Sequence, residues 1–564
     1  MGDPSQPVAE ARELIERAHA AWQTYREFSQ TQVDAIVDAM AQAATAHAER
    51  LAKLAVAETT YGKVADKTQK NLFASERVYA AIRGMRTVGV LREDRAAGIL
   101  ELGVSMGVVA AILPCTNPTS TAIYKILIAL KAGNAIVLSP HPSALRCICE
   151  TVGLMRQAAI AQGAPDGLIG CFSMPTREGT QAMMSHPSSK VILATGGMGI
   201  VKAAYSSGKP AFGVGPGNVP AFVDRSADVP DAVAKVVAGK SFDWGTLCSS
   251  EQSLVAETAL RDAVLAELKK QNVYLMSAEE AEKLAALLIH KETFSVNPKC
   301  VGQSPQKLAA MAGFGGRVGA DLRVLAAELA GMGKAHPLSA EKLSPVLALF
   351  FLPDRVRAME RCRDLLHFGG LGHTCVIHAR DEAVIRDYGA RMPAYRVVVN
   401  SPAPQGSIGL TTNLFPAMTL GCGALGGNIT SDNIGPQHLM NIKRIAWDRG
   451  SLPAAAAGRE AEPSTCTCPH AAPQDDLRAN IERILAERGI LPPGQPEAGS
   501  GPQTAPPAFT PPPLPPAPAP VPFVCEADVR DAIQSGKKIA IGPKTIITPA
   551  ARDLGRERNA FETV

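Results

Sequence analysis

The sequence predicts an α/β protein whose strands pair in parallel, and three observations carry that expectation. Apolar runs at 107–113, 135–138 and 191–194 lack alternation, as strands buried on both faces do. The segments between them, 124–132 and 147–161, have the apolar spacing and length of crossover helices. Each run then ends in turn-forming residues: Pro114, Ser139-Pro140-His141-Pro142 and Thr195-Gly196-Gly197.

Read in order, the first ~90 residues are helical, with Val33, Ile36, Val37 and Met40 at helical spacing and charges between them. Around Gly98 the texture changes, and 99–104 reads as a short strand. The alternation described above follows, and a helix starts near Ile200. Gly213-Val214-Gly215-Pro216-Gly217-Asn218 interrupts the pattern before a strand at 220–223. A second α/β region runs over 224–418, with helices at 229–239 and 258–270. The expected regions are therefore 1–223, 224–418 and a returning segment at 419–452.

The tail has a different composition. Residues 453–473 are rich in Ala, Pro and Thr, and an amphipathic helix follows at 475–488, with Leu477, Ile481, Ile484 and Leu485 on one face. Asp475 can cap its start, while Gly489 and Pro492-Pro493 end it. Thus 453–490 reads as linker and helix, 491–523 as an extended proline-rich linker spanning roughly 50–100 Å, and 524–564 as a small terminal module. Much of this tail is expected to be disordered.

Composition narrows the function classes. Of 564 residues, 46% are hydrophobic and 20% charged, with a net charge of +4, too small to point to nucleic acid or an anionic membrane. No apolar stretch is long enough to span a bilayer, and Met1 to Ser5 lack the form of a signal peptide. Twelve scattered cysteines make no compact disulfide framework, so a reduced, cytosolic protein is expected.

Two stretches could carry chemistry together. Cys248 lies in Trp244-Gly245-Thr246-Leu247-Cys248-Ser249-Ser250, whose small and polar residues suit an approachable turn. Asn117, in Pro114-Cys115-Thr116-Asn117-Pro118, can donate to the oxygen that turns negative when a thiolate adds to a carbonyl. Residue types alone leave an inert structural thiol open.

Thr195-Gly196-Gly197 suits a backbone that approaches a pyrophosphate, but it is not the G-x-G-x-x-G fingerprint, and an ordinary glycine turn fits too. Ser139, Pro140 and His141 can meet an adenosine or simply form a turn. His373, in the glycine loop from Phe368 to Thr374, can be an acid/base group or a structural histidine. The loop Gly421-Cys422-Gly423-Ala424-Leu425-Gly426-Gly427-Asn428 can admit a substrate or permit a tight crossing. Cys466, Cys468 and His470 are metal-ligand types without a visible partner pair, so no metal is expected.

In sequence order, the motifs around Asn117, His141, Thr195, Gly213 to Asn218, Cys248, Glu341-Lys342-Leu343-Ser344-Pro345, His373 and Thr419 to Gly423 resemble the CoA-acylating branch of the aldehyde dehydrogenase superfamily. The resemblance implies a Rossmann-like NAD-binding domain, an α/β catalytic domain and a small oligomerisation arm. It makes Cys248 the nucleophile and Asn117 the oxyanion donor, with Thr116, Ser139, Pro140, His141, Thr195, Gly196, Gly197, Glu341 and His373 on the cofactor side and the role of His373 open. Hydrolytic relatives carry a general-base Glu in a Glu-Leu-Gly-Gly stretch; here the sequence is Gly213-Val214-Gly215-Pro216-Gly217. Without that base the acyl-enzyme should wait for the thiol of coenzyme A.

The implied reaction oxidises a short-chain aldehyde, propionaldehyde ahead of acetaldehyde, with NAD and coenzyme A. The implied setting is a homodimer or homotetramer in the bacterial cytoplasm, inside a microcompartment, with the tail helix binding shell or cargo proteins. The terminal segment 528–554 resembles a short module of several microcompartment proteins. Rival readings are a hydrolytic aldehyde dehydrogenase, a non-catalytic scaffold and a glutamyl-phosphate reductase-like enzyme.

Overall fold

The computed structural model describes residues 5–290, 294–448, 521, 523–542 and 545–563. Within 5–448 the chain opens with helices Gln6–Tyr25, Gln30–Ala46, Ala48–Thr59, Val64–Leu72 and Val78–Ile82. Ser29 starts the second of these with a reciprocal capping box to Gln32. Their buried faces (Ile15, Ile36, Met40, Leu51 among others) join one core with the strands that follow.

The hairpin β1 (Gly89–Asp94) and β2 (Ile99–Ser105) precedes two parallel sheets. The first holds β3 (Val108–Ile112), β4 (Ala135–Ser139), β5 (Ile169–Cys171), β6 (Ser189–Thr195) and β7 (Ala211–Val214), in the order 5-4-3-6-7. The second holds β8 (Val219–Val223), β9 (Glu251–Glu257), β10 (Val273–Leu275), β11 (Val324–Glu328), β12 (Val346–Leu352), β13 (Gly372–His378) and β14 (Ala394–Val399), in the order 10-11-12-9-8-13-14. A last strand, β15 (Met440–Ala446), returns antiparallel to β2.

In the first sheet the chain leaves β3 toward β4 and β5, then returns to β6 on the other side. That reversal opens a crevice at the carboxyl ends of β3 and β6, where α/β sheets place their ligands. The helix Pro118–Lys131 after β3 is buried along its whole length, so the loop before it, which carries Asn117, rests on a fixed base.

Two sequence expectations change. The strand near 220–223 was grouped with residues 1–223, but β8 pairs with β9 and β13, so the two sheets divide between Val214 and Val219. Gly213 and Val214, read as part of an interruption, lie in β7, where glycine fits beneath Tyr205. The antiparallel arm draws only β15 from the 419–452 segment; its other two strands come from 89–105.

The terminal module has parallel strand pairs Phe523–Val524 with Ile546–Ile547 and Ile539–Ile541 with Phe561–Thr563. Helices Glu526–Ser535 and Pro549–Glu557 accompany them, and Val524, Val529, Ala551 and Ala560 form a small core. The amphipathic helix expected at 475–488, Cys466, Cys468 and His470, and nearly all of the proline-rich linker lie outside the described residues.

Candidate active site

The loop that carries Cys248 begins with a tight turn, Phe242–Gly245, in which Asp243 and Trp244 take left-handed φ values of 47° and 52°. Such backbone persists only where its surroundings hold it, and here they do. The buried Asp243 carboxylate accepts from Lys63 N–H (2.7 Å), Lys67 Nζ (2.9 Å) and Thr246 Oγ1 (2.6 Å), and also from Lys70 Nζ. Its own N–H donates to Asp66 at 2.6 Å. The turn is thereby tied to helix Val64–Leu72, and Cys248 follows two residues after Thr246.

Cys248 opens on a cavity of about 530 Å³, lined mostly by apolar groups. Asn117 and Thr116 line it after β3, His141 after β4, and Thr195, Gly196 and Gly197 after β6; Thr246, Glu341 and Met418 complete its polar and far walls. Asn117 Nδ2 donates to Thr246 O (3.3 Å) and Thr116 Oγ1 (3.2 Å), and its Oδ1 accepts from Lys70 Nζ. The amide therefore lines the same cavity as the thiol with its orientation fixed, because a lysine can only donate.

Behind the thiol stands His373, at the start of β13, with Nε2 3.3 Å from Cys248 Sγ and Nδ1 2.9 Å from Thr374 Oγ1. His373 does not line the cavity, so the structure places it against the Cys248 thiol rather than among the cavity-lining residues on the cofactor side. Burial, then the nearby Arg396 guanidinium, lower its pKa to about 3. Burial, then the Glu341 carboxylate, push the Cys248 thiol up to about 12. At neutral pH the resting pair is an uncharged thiol beside an uncharged imidazole.

The turn after β6 suits a dinucleotide. Thr195 Oγ1 is buried with no partner among the described residues, and a Cβ on Gly197 would meet open space, so a phosphate could approach the backbone there. On the opposite wall, Glu341 Oε1 accepts from Gly217 N–H at 3.1 Å, and burial raises its carboxyl to about 7. His141 Nδ1 is taken by Ser143 N–H. Ser139 and Pro140 are buried at the end of β4, and Ser139 Oγ bonds Thr180 Oγ1 at 2.8 Å, so neither side chain is brought to the cavity.

Two further features bear on chemistry. Among the described residues lining the cavity, Glu341 is the only carboxylate, and Val214, Gly215 and Pro216 form the wall where a hydrolytic base would stand. The lysine pair Lys67 and Lys70, with Asp243 and Arg396, escaped the sequence reading. Their spacing in Lys67-Thr68-Gln69-Lys70 looks like a solvated helix face, and the partner Asp243 is more than 170 residues away. No three His, Cys, Asp or Glu side chains converge as metal ligands among the described residues.

Comparison with known proteins agrees with this geometry. The model for the aldehyde dehydrogenase family matches residues 4–321. The bifunctional aldehyde-alcohol dehydrogenase of Escherichia coli (strain K12) is 42% identical over 469 residues, covering 79% of this chain and 52% of its own. The chain thus spans about half the length of that relative. An acetylating aldehyde dehydrogenase from Geobacillus thermoglucosidasius superposes with a TM-score of 0.78 at 48% identity, covering 79% of this chain and 98% of its own. A propionaldehyde dehydrogenase from the Clostridium phytofermentans fucose utilisation bacterial microcompartment superposes with a TM-score of 0.70 at 29% identity, over 79% of this chain and 98% of its own. With the family model matching more than half of its length, and with Cys248, Asn117 and the turn after β6 gathered at one cavity, this chain belongs to the aldehyde dehydrogenase family.

Proposed function

We propose that the chain oxidises a short-chain aldehyde with NAD⁺ and coenzyme A to an acyl-CoA and NADH, through a thioester on Cys248, and that propionaldehyde is the principal substrate. One observation carries the acylating reading: a thiol and an amide donor share a cavity whose only described carboxylate, Glu341, is held by Gly217 N–H. The choice of propionaldehyde is supported by the microcompartment relative and by the tail; a single methylene separates it from acetaldehyde, about 1 kcal/mol in an apolar pocket.

In this mechanism Cys248 Sγ adds to the aldehyde carbon while its proton passes to His373 Nε2. The tautomer with a proton on Nδ1, given to Thr374 Oγ1, leaves Nε2 free to accept. Asn117 Nδ2 donates to the oxygen as it gains charge. Bound NAD⁺ would supply the acceptor for the hydride that leaves the former carbonyl carbon. The residues that would hold it are Thr195, Gly196 and Gly197 at the pyrophosphate and Glu341 at the nicotinamide ribose. With Glu341, the one carboxylate among the described residues lining the cavity, engaged by Gly217 N–H and assigned to the cofactor, water stays unactivated and the thioester persists. Once His373 has released the first proton to solvent, it takes the proton of the coenzyme A thiol as that sulfur attacks the same carbon; Asn117 again receives the oxyanion, and Cys248 leaves and takes this second proton from His373.

The arm strands expose Val90, Ile442 and Ile445, which supports assembly into a dimer or tetramer. The tail supports packaging in a bacterial microcompartment through 475–490 and the module beyond it. Fusing residues 453–564 to a fluorescent protein tests this: puncta that coincide with shell proteins support packaging, and diffuse fluorescence refutes it. For the reaction, NADH formation is measured from propionaldehyde with and without coenzyme A. Turnover that continues without coenzyme A refutes the acylating reading.

A further inference from the structure

Lys70 makes a contact that the mechanism above does not use. Helix Val64–Leu72 places Lys67 and Lys70 on one face, and both side chains are only 2% exposed. The helix runs directly into a π-helical turn, Phe73–Arg77, a distortion that recurs at functional sites. Both ammonium groups meet the single carboxylate of Asp243. Asp243 is already satisfied without Lys70: Lys67 neutralises it, and Lys63 N–H and Thr246 Oγ1 complete its hydrogen bonds. Asp66 is matched by Lys63 at 2.7 Å. Lys70 is therefore a surplus buried cation, costly unless its charge serves a purpose. Its remaining strong acceptor is the Asn117 amide oxygen.

We propose that Lys70 is a positioning residue for the oxyanion donor: its ammonium holds and polarises the carbonyl end of the Asn117 amide, so that the NH₂ end is presented to the cavity as a stronger donor. This rests on the reading of Asn117 as the donor in an acylating aldehyde dehydrogenase. An ammonium on Oδ1 excludes the flipped amide, in which an acceptor would face the developing oxyanion. It also draws electron density from nitrogen, which strengthens a donor whose present bonds, at 3.2 and 3.3 Å, are long and easily exchanged. Both oxyanions of the cycle, on aldehyde addition and on attack by coenzyme A, would draw on this charge.

The test is a double-mutant cycle in the full-length protein with Lys70→Met, Asn117→Ala and both together, measuring NADH formation from propionaldehyde, NAD⁺ and coenzyme A. Each single change should lower kcat by roughly 10- to 100-fold with KM for NAD⁺ altered less than about twofold, and the double variant should lie within about threefold of Asn117→Ala. Losses that multiply in the double variant overturn the proposal. A wild type without coenzyme A-dependent turnover removes the reaction itself and the proposal with it, whereas multiplied losses in an active enzyme remove only the role of Lys70.

If Lys70→Met does not fold, the pH profile decides. Burial, opposed by Asp243, lowers the Lys70 pKa to about 8, so wild-type kcat should fall as pH rises through that value. The groups facing Lys70 are Lys67 and Asp66 from its own helix, Asp243 and Thr246 from the Cys248 loop, and Asn117. Glu341, across the cavity, titrates near 7. The alkaline fall should vanish in Asn117→Ala, which has no amide left to polarise; a fall that persists there overturns the proposal.

Discussion

At Cys248 two demands oppose each other. In the proposed reaction the thiol must be shielded so that its thioester survives, yet burial pushes its pKa up to about 12. In that proposed reaction His373, kept neutral by burial and Arg396, resolves this by taking the proton only as sulfur attacks. Two predictions follow at this scale. Alkylation of Cys248 by iodoacetamide in the absence of ligands should rise about tenfold per pH unit up to pH 10 without a plateau, because the thiolate fraction keeps growing below the pKa. A plateau below pH 9 would show a thiolate already present at rest. His373→Gln should lower kcat about 10²- to 10³-fold while NAD⁺ binding, followed by fluorescence titration, stays within threefold. Cys248, Asn117 and His373 could be singled out because each sits in a loop of small, polar or glycine residues at the edge of a strand or helix, though His373 proves fully buried. Lys70 and Asp243 could not, because their meaning comes from a contact between distant segments.

Among the elements, β13 joins the chemistry to the second sheet. It begins at Gly372, whose φ is +75° and whose position leaves a Cβ only 1.9 Å from Cys422 O. Gly372→Ala should destabilise the fold by about 2–3 kcal/mol and displace His373, seen as a lower Tm together with reduced kcat. A variant with wild-type Tm and activity would show that the strand start tolerates a side chain. Strands β3, β4 and β6 are legible as apolar runs because both faces meet hydrocarbon. Strand β9 is equally buried but reads Glu251-Gln252-Ser253-Leu254-Val255-Ala256-Glu257. Several of its polar groups are met by other elements: Glu251 Oε1 accepts from Ala403 N–H, and Gln252 Oε1 from Lys240 Nζ and Lys342 N–H. A polar strand whose partners lie elsewhere in the chain carries no local signature.

For the molecule as a whole, the two sheets supply opposite walls of one cavity, and the tail is separate in composition from the body. Removing residues 453–564 should leave kcat and Tm of the remaining chain within about twofold and 3 °C, and abolish any colocalisation with shell proteins; a tenfold loss of kcat would assign the tail to the catalytic body. The order of motifs along the chain made the family legible from sequence, because each strand-end loop of the cavity keeps its own residues. The source of the arm's strands was not legible, since the pairing of β2 with β15 joins segments more than 300 residues apart. The central claim is that Cys248 carries an acyl group which coenzyme A, and not water, removes. The most direct measurement is rapid-mixing NADH formation from propionaldehyde and NAD⁺, for wild type and Cys248→Ala, before and after addition of coenzyme A. A burst of up to one NADH per active site without coenzyme A, continuous turnover on adding it, and neither in Cys248→Ala is the predicted result. Sustained turnover without coenzyme A, or a burst in Cys248→Ala, would contradict the account.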